Sequence, residues 1–168
     1  MNNLIITAIG SDRPGIVSEL SGIITTHGGN VEESRMSRLG SDFAIIMLVS
    51  VSTEWEESLG VALQSINDLT ISTKHTQIQE IGDNKKYQIN LNGADNEGIV
   101  KVLSKYLAEK SINILEMETH ITQAPISGTP LFNLNASVSI PNDIEKKVIQ
   151  SDLSQIAQKL GVEIHLGN

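Results

Sequence analysis

Two repeated turns hold the residues whose types and spacing could do chemistry. SDRPGIV, residues 11 to 17, follows an apolar run and leads into a helical pattern, and ADNEGIV repeats it at 94 to 100. At a strand-to-helix turn the first backbone NH groups of the helix lack partners and lie at its positive end, where a carboxylate can dock. Asp12 or Asn30 in the first copy, and Asp95 or Asn113 in the second, would then satisfy an ammonium group. A zwitterionic amino acid needs that pair of partners. The same residues also have a purely structural use. Ser11 or Asp12 can act as helix N-cap, Pro14 fits an early helical position, and Gly15 lets the backbone run close to a neighbour. Capping and binding call for the same residue types, so spacing alone leaves both open. In the second turn Asn96 and Glu97 replace Arg13 and Pro14, which removes a cation and adds an anion. Two such sites should not bind equally.

Other chemistry has no visible machinery. The chain has no cysteine, which excludes disulfides, thiolate metal sites and a Cys nucleophile. His27, His75, His120 and His165 are scattered, without the spacing that puts two imidazoles on one helix face, so no metal site is expected. No GxSxG elbow accompanies the serines, and GSDRPG and GADNEG lack the spacing of a phosphate loop. No catalytic residue and no cofactor are assigned. Arg35 and Arg38, in ESRMSRLG, are candidates for a protein contact, against the plainer reading of solvated outward positions on a strand.

Composition narrows the partners. A formal net charge of -8 repels phosphate backbones, and both halves hold more acid than base, so no direct nucleic-acid binding is expected. The opening MNNLIITAIG lacks the basic start of a signal peptide, and no apolar run reaches the roughly 18 residues that span a bilayer. A cytoplasmic protein without membrane insertion is the expectation.

The repeat extends well beyond the turn. Gly10, Asp12, Gly15, Ile16 and Val17 meet Gly93, Asp95, Gly98, Ile99 and Val100, and the register runs on through Leu20 over Leu103 to Asn30 over Asn113. The second copy then carries extra residues around QAPISGTP, read as a longer hairpin, after which Phe43 meets Phe132. In the first copy the periodicities predict a strand over 3 to 9, a helix from Ile16 to the stop at HGG, and strands over 31 to 39 and 43 to 51 joined by GSD. A helix follows, with Trp55, Leu59, Leu63 and Ile66 as its stripe and Thr53 and Glu56 at capping-box spacing, and then a closing strand in ISTKHTQIQ. The second copy predicts a strand over 87 to 92, a helix over 98 to 110, strands over 112 to 122 and 131 to 140, a helix over 142 to 160 and a strand over 162 to 166.

Both copies read βαββαβ, an α+β class: two ferredoxin-like units, each a four-stranded antiparallel sheet with two helices on one face. The expected domains are 1–82 and 83–168, with IGDNKK (81–86) as linker. One sheet face per unit is left without helices, so each unit has apolar surface or sheet edges to protect, and pairing with its twin, within a chain or in a homo-oligomer, would do so.

Repeated βαββαβ units with DRPGIV at the first strand-to-helix turn resemble tandem ACT domains, small modules that sense amino acids. More narrowly, TAIGSDRPGIV together with NVEESRMSRLGSDFAIIMLVS resembles the glycine cleavage system transcriptional repressor family. The resemblance implies a cytoplasmic bacterial regulator without a DNA-binding domain of its own, which represses by binding an activator protein of the same operon and is relieved by glycine. It also implies ligand contacts at Asp12, Arg13, Pro14, Gly15 and Asn30, with Asp95, Asn96, Glu97, Gly98 and Asn113 in the second copy.

Two other classes fit parts of the same pattern. ACT modules precede catalytic domains such as a formyltetrahydrofolate hydrolase or a phosphoserine phosphatase, so the chain could be the regulatory subunit of an amino-acid or one-carbon enzyme. No catalytic domain is expected to follow the second copy, which assigns any catalysis to a separate subunit. The third class is a ligand-free scaffold whose turns only cap helices and whose open sheets bind protein.

Overall fold

The computed structural model describes residues 1–78, 84–125 and 127–167 and divides into two compact units, Met1–Glu80 and Ile81–Asn168. The first unit runs β1 (Asn2–Ser11), α1 (Ile16–Thr26), β2 (Asn30–Leu39), β3 (Asp42–Val51), α2 (Thr53–Gln64) and β4 (Leu69–Thr76). The second repeats it as β5 (Lys85–Ala94), α3 (Ile99–Glu109), β6 (Asn113–Gln123), β7 (Pro130–Ile140), α4 (Lys146–Leu160) and β8 (Val162–Gly167). Each unit holds one antiparallel sheet, in the orders β2-β3-β1-β4 and β6-β7-β5-β8. The βαββαβ order read from the periodicities is the observed one.

Period-two alternation sets which sheet face is buried. Leu4, Ile6 and Ala8 of β1 and Ile45, Met47 and Val49 of β3 point into one core, where they meet Ile16, Leu20 and Ile24 of α1 and Leu59 and Leu63 of α2. The second core is built alike from Ile89, Leu91, Leu134, Ala136, Val138 and their helices. Two glycines let the chain that enters the closing strand press against the sheet. A Cβ on Gly10 would stand 2.3 Å from the Asp68 carbonyl oxygen, and one on Gly93 would stand 2.6 Å from Val162 Cγ1.

Several local expectations are corrected. Trp55 is 46% exposed and meets His27 edge to face, so the buried stripe of α2 is Leu59 and Leu63. The capping box does not form. Ser52 is the N-cap without a side-chain cap bond, and Glu56 instead accepts from Asn2 Nδ2 at 2.6 Å and contacts His75 Nε2 at 2.7 Å. Lys85 and Lys86 of the expected linker belong to β5, opposite Ile140 and Ser139, while 81–83 lie outside the described residues. α4 begins at Lys146, not at 142. The longer hairpin joins β6 to β7 and is closed by Ala124 NH donating to the Thr129 carbonyl at 2.9 Å.

The helix-free faces of the two sheets differ. In the first unit Ile5, Ile9, Ile46 and Leu48 line that face, with Ile9 53% and Ile46 44% exposed. In the second the matching positions are polar, among them Gln88, Asn90, Asn92, Asn133 and Asn135. Of the expected apolar surface or sheet edges, both units have the edges, and an apolar helix-free face is found in the first unit only.

The bulges diverge as well. Both edge strands slip register at the same place, between Val31 and Glu33 and between Ile114 and Glu116. In the first unit the bulge residue Glu32 accepts from Ser50 Oγ at 2.5 Å and from Asn30 Nδ2 at 3.0 Å, and these bonds hold its carboxyl below the usual range. In the second unit the bulge residue is Leu115, and the buried hydroxyl of Ser139, which stands where Ser50 does, has no partner. An unpaired buried hydroxyl costs on the order of 1 kcal/mol or more. Ser139→Ala is accordingly expected to raise stability by about 1 kcal/mol and Ser50→Ala to lower it, as read from denaturant midpoints at unchanged slope.

Candidate functional site

The first turn is built around a backbone torsion. Gly15, not Ser11 or Asp12, is the N-cap of α1, at φ 93° and ψ -9°, and no side chain caps the helix. Ser11 closes β1, Pro14 precedes the cap, and a Cβ on Gly15 would meet nothing within 4 Å. Glycine is thus required here by its left-handed conformation rather than by a close approach. The NH groups that open α1 have no intrahelical acceptor. An open cleft of ≈ 210 Å³ at this turn is lined by Asp12, Arg13, Gly15, Ile16, Val17, Ser18 and Phe43.

Charge around this cleft is tightly paired. Arg13 donates to both oxygens of Asp68, in the loop before β4, and to Glu19 Oε2 at 2.5 Å. Asp68 first and Glu19 second hold the guanidinium charged, and Arg13 in turn holds the Asp68 carboxyl below the usual carboxylate range. Arg13 therefore ties the turn to the closing loop. Asp12 NH donates to the Ser41 carbonyl at 3.0 Å, and Asp12 Oδ2 stands 3.3 Å from Arg38 Nε. Asp12 lines the cleft while its ion-pair partner Arg38 is not among the lining residues.

The second turn keeps the torsion and changes the chemistry. Gly98 caps α3 at φ 84°, again without a side-chain cap and with open space at its Cβ position. Asn96 Nδ2 donates to the carbonyl of Leu160, the last residue of α4, at 3.3 Å, so it fastens its turn to the end of α4 where Arg13 fastens the first turn to the loop before β4. The cleft is wider, ≈ 570 Å³, and is lined by Asn96, Gly98, Ile99, Lys101, Ser104 and Phe132, with Val100 beside them. Asp95 and Glu97 are exposed and do not line it.

Asn30 and Asn113 lie elsewhere. Asn30 pairs with Ser50, which faces Asn3, whereas the turn leaves from Ser11 opposite Asp42. Eight strand residues at ~3.3 Å each put roughly 26 Å between the two ends. Asn113, opposite Ser139 and Lys86, is displaced from Ala94 in the same way. Neither amide joins the turn cleft of its own unit. Conversely, Phe43, Phe132 and Lys101 line the clefts and were not among the expected contacts. Only the phenylalanines had left a signal, their match across the repeat. Among the described residues no group of three or more His, Asp or Glu side chains could hold a metal, and no helix is long and apolar enough to cross a membrane.

Comparison with known proteins decides the family. The sequence profile of the ACT domain matches residues 2–74 and 86–167. The chain belongs to the ACT domain family. Its tandem ACT units are similar to a crystal structure of an unknown protein from Galdieria sulphuraria, 35% identical, with TM-score 0.87 over 99% of this chain and 97% of that one. A crystal structure of a candidate glycine cleavage system transcriptional repressor shares the fold at 24% identity and TM-score 0.72, over 99% and 96% of the two chains. The glycine cleavage system transcriptional repressor of Escherichia coli is 49% identical over 49 residues, a segment spanning 29% of this chain and 26% of that protein.

The Arg13 and Asp68 bridge makes the first ACT unit sensitive to acid. Asp68 stays ionised in the folded unit to a lower pH than in the unfolded chain, so its contribution is present above the unfolded pKa of about 4 and fades as pH falls through the depressed folded value. Arg13→Gln is expected to lower stability at neutral pH and to flatten its decline between about pH 5 and pH 2, as followed by denaturant unfolding across that range.

Proposed function

We propose that this protein is an amino-acid-responsive regulator, that it binds a small zwitterion such as glycine at the first ACT turn, and that it acts by contact with another protein. The observation that carries the reading is the cleft at Gly15. There the uncapped NH groups of α1 meet a ligand carboxylate while Asp12 meets its ammonium group. The first cleft is favoured over the second because it is smaller and is lined by its aspartate, whereas Asp95 stands outside the second.

The similarity to glycine cleavage system transcriptional repressors supports glycine as the signal and gene regulation as the output. In that reading the chain represses by binding an activator protein, and glycine releases it. The acidic net charge of -8 agrees with action through protein contact rather than on DNA. Glycine has five heavy atoms, so a ceiling of about -1.5 kcal/mol per atom limits its affinity to the micromolar range at best.

Calorimetric titration with glycine and a panel of other amino acids tests the assignment. Saturable glycine binding is expected, weakened at least about tenfold, or 1.4 kcal/mol, in Asp12→Ala and unchanged in Asp95→Ala. Equal affinity in a folded Asp12→Ala variant would remove the first turn from the binding site. No binding by any amino acid at millimolar concentration would leave Gly15 as a helix cap alone.

A further inference from the structure

We propose that the groove between α3 and α4 of the second unit is a binding site for a small organic anion with a flat apolar body, a site separate from both turn clefts. The groove exists because α4 is extended. The buried residues Leu59 and Leu63 of α2 correspond to Ile149 and Leu153 of α4, yet α2 ends at Gln64 while α4 runs on to Leu160. The added turns carry Gln155, Ile156 and Lys159, and their end is fastened where the Leu160 carbonyl accepts from Asn96 Nδ2. Helical spacing puts Asp152, Gln155, Ile156 and Lys159 along one face. With Tyr106 and Lys110 of α3 they line an open groove of ≈ 620 Å³, inside the range of about 300 to 1,000 Å³ for small-molecule sites.

The lining combines a fixed apolar wall with a spare charge. Tyr106 Oη donates to Asp152 Oδ2 at 3.1 Å, and Lys110 Nζ stands 3.1 Å from the same oxygen and 5.9 Å from the centre of the Tyr106 ring. Burial first, and the bond to Asp152 second, push the Tyr106 hydroxyl up, so it stays a neutral donor. Tyr106 and Ile156 pack partly buried against the second core and give the groove its apolar floor. With Asp152 satisfied by Tyr106 and Lys110, the charge left over belongs to Lys159, which is exposed and has no ion-pair partner among the described residues. The groove therefore sets two ammonium groups against one carboxylate, in a chain whose net charge is -8. An anionic group at Lys159, with the Gln155 amide beside it and an apolar ring laid over Ile156 and Tyr106, answers both features. An inorganic anion leaves the floor uncovered, and a neutral ring leaves the cation unpaired.

In the first unit the same place is taken up by the chain's own rings. Tyr106 and Lys110 stand over Ile23 and His27 across the repeat, and the His27 ring meets Trp55 edge to face with centroids 6.5 Å apart. Nor does α2 continue past Gln64 to raise a second wall. The groove is thus an addition to the unit whose turn cleft lacks its aspartate.

Titration of the nitrogen-labelled full chain with phenyl phosphate, followed in amide proton–nitrogen correlation spectra, tests the site. Saturable shifts are expected at the amides of Tyr106, Lys110 and Asp152–Lys159, and benzyl alcohol and inorganic phosphate should each bind at least about tenfold more weakly. Lys159→Gln should weaken phenyl phosphate about tenfold, while Lys159→Arg should retain it, with the spectrum of each variant confirming the fold. No saturation at millimolar concentration, shifts centred outside α3 and α4, an equal response to inorganic phosphate, or undiminished affinity in Lys159→Gln would each overturn the assignment. Glycine binding at the first turn does not depend on the outcome.

Discussion

Each unit depends on one backbone torsion. At Gly15 and Gly98 the chain leaves its first strand through a left-handed residue, at φ 93° and 84°, and starts a helix without a side-chain cap. An L side chain there is strained, and a side-chain cap would fill the space in front of the helix. Because the turn is capped by backbone rather than by side chain, an opening remains between helix and sheet. The adjoining Gly10 and Gly93 let the chain that enters the closing strand approach, and Arg13 or Asn96 then fastens it. Cleft, helix start and strand order all follow from that corner.

Around this shared skeleton the two copies have separated in chemistry. Where the first unit uses an ion pair between Arg13 and Asp68, the second uses an amide on the Leu160 carbonyl. Where the first stabilises its bulge with Glu32 and Ser50, the second leaves Ser139 unpaired beneath a bulge carrying Leu115. The open sheet face is apolar in one and lined with amides in the other. Differences of this kind leave the main chain untouched, because none of them alters the core positions that alternate along β1 and β5.

The architecture was legible because it rests on periodicity. Leu4, Ile6 and Ala8 announce a strand, and Ile16, Leu20 and Ile24 a helix, and the repeat doubles each signal. The site was less legible because its contacts are not local. Ser11 and Asp12 have the composition of a cap, yet the chain turns late and Gly15 takes that position. Asn30 matches Asn113 across the repeat but lies at the far end of the sheet from the turn, since α1 carries the chain back along the strand before β2 begins. Arg38 reaches Asp12 only because the hairpin of β2 and β3 brings the end of β2 beside the end of β1. Nothing in ESRMSRLG by itself marks that meeting.

Ligand size constrains how such a regulator can work. Reversing a two-state equilibrium from 1:99 to 99:1 takes about 5.5 kcal/mol of differential binding, and glycine can supply about 7.5 kcal/mol in all. Most of its binding energy must then be realised in one state and absent from the other, or the two states must lie nearer to balance. The first cleft suits the second solution. In the proposed binding mode the ligand's ammonium group would take Asp12 from Arg38, an exposed pair of small net worth, while its carboxylate would meet the helix NH groups. In that reading the site shifts a poised equilibrium by degrees rather than closing once and holding.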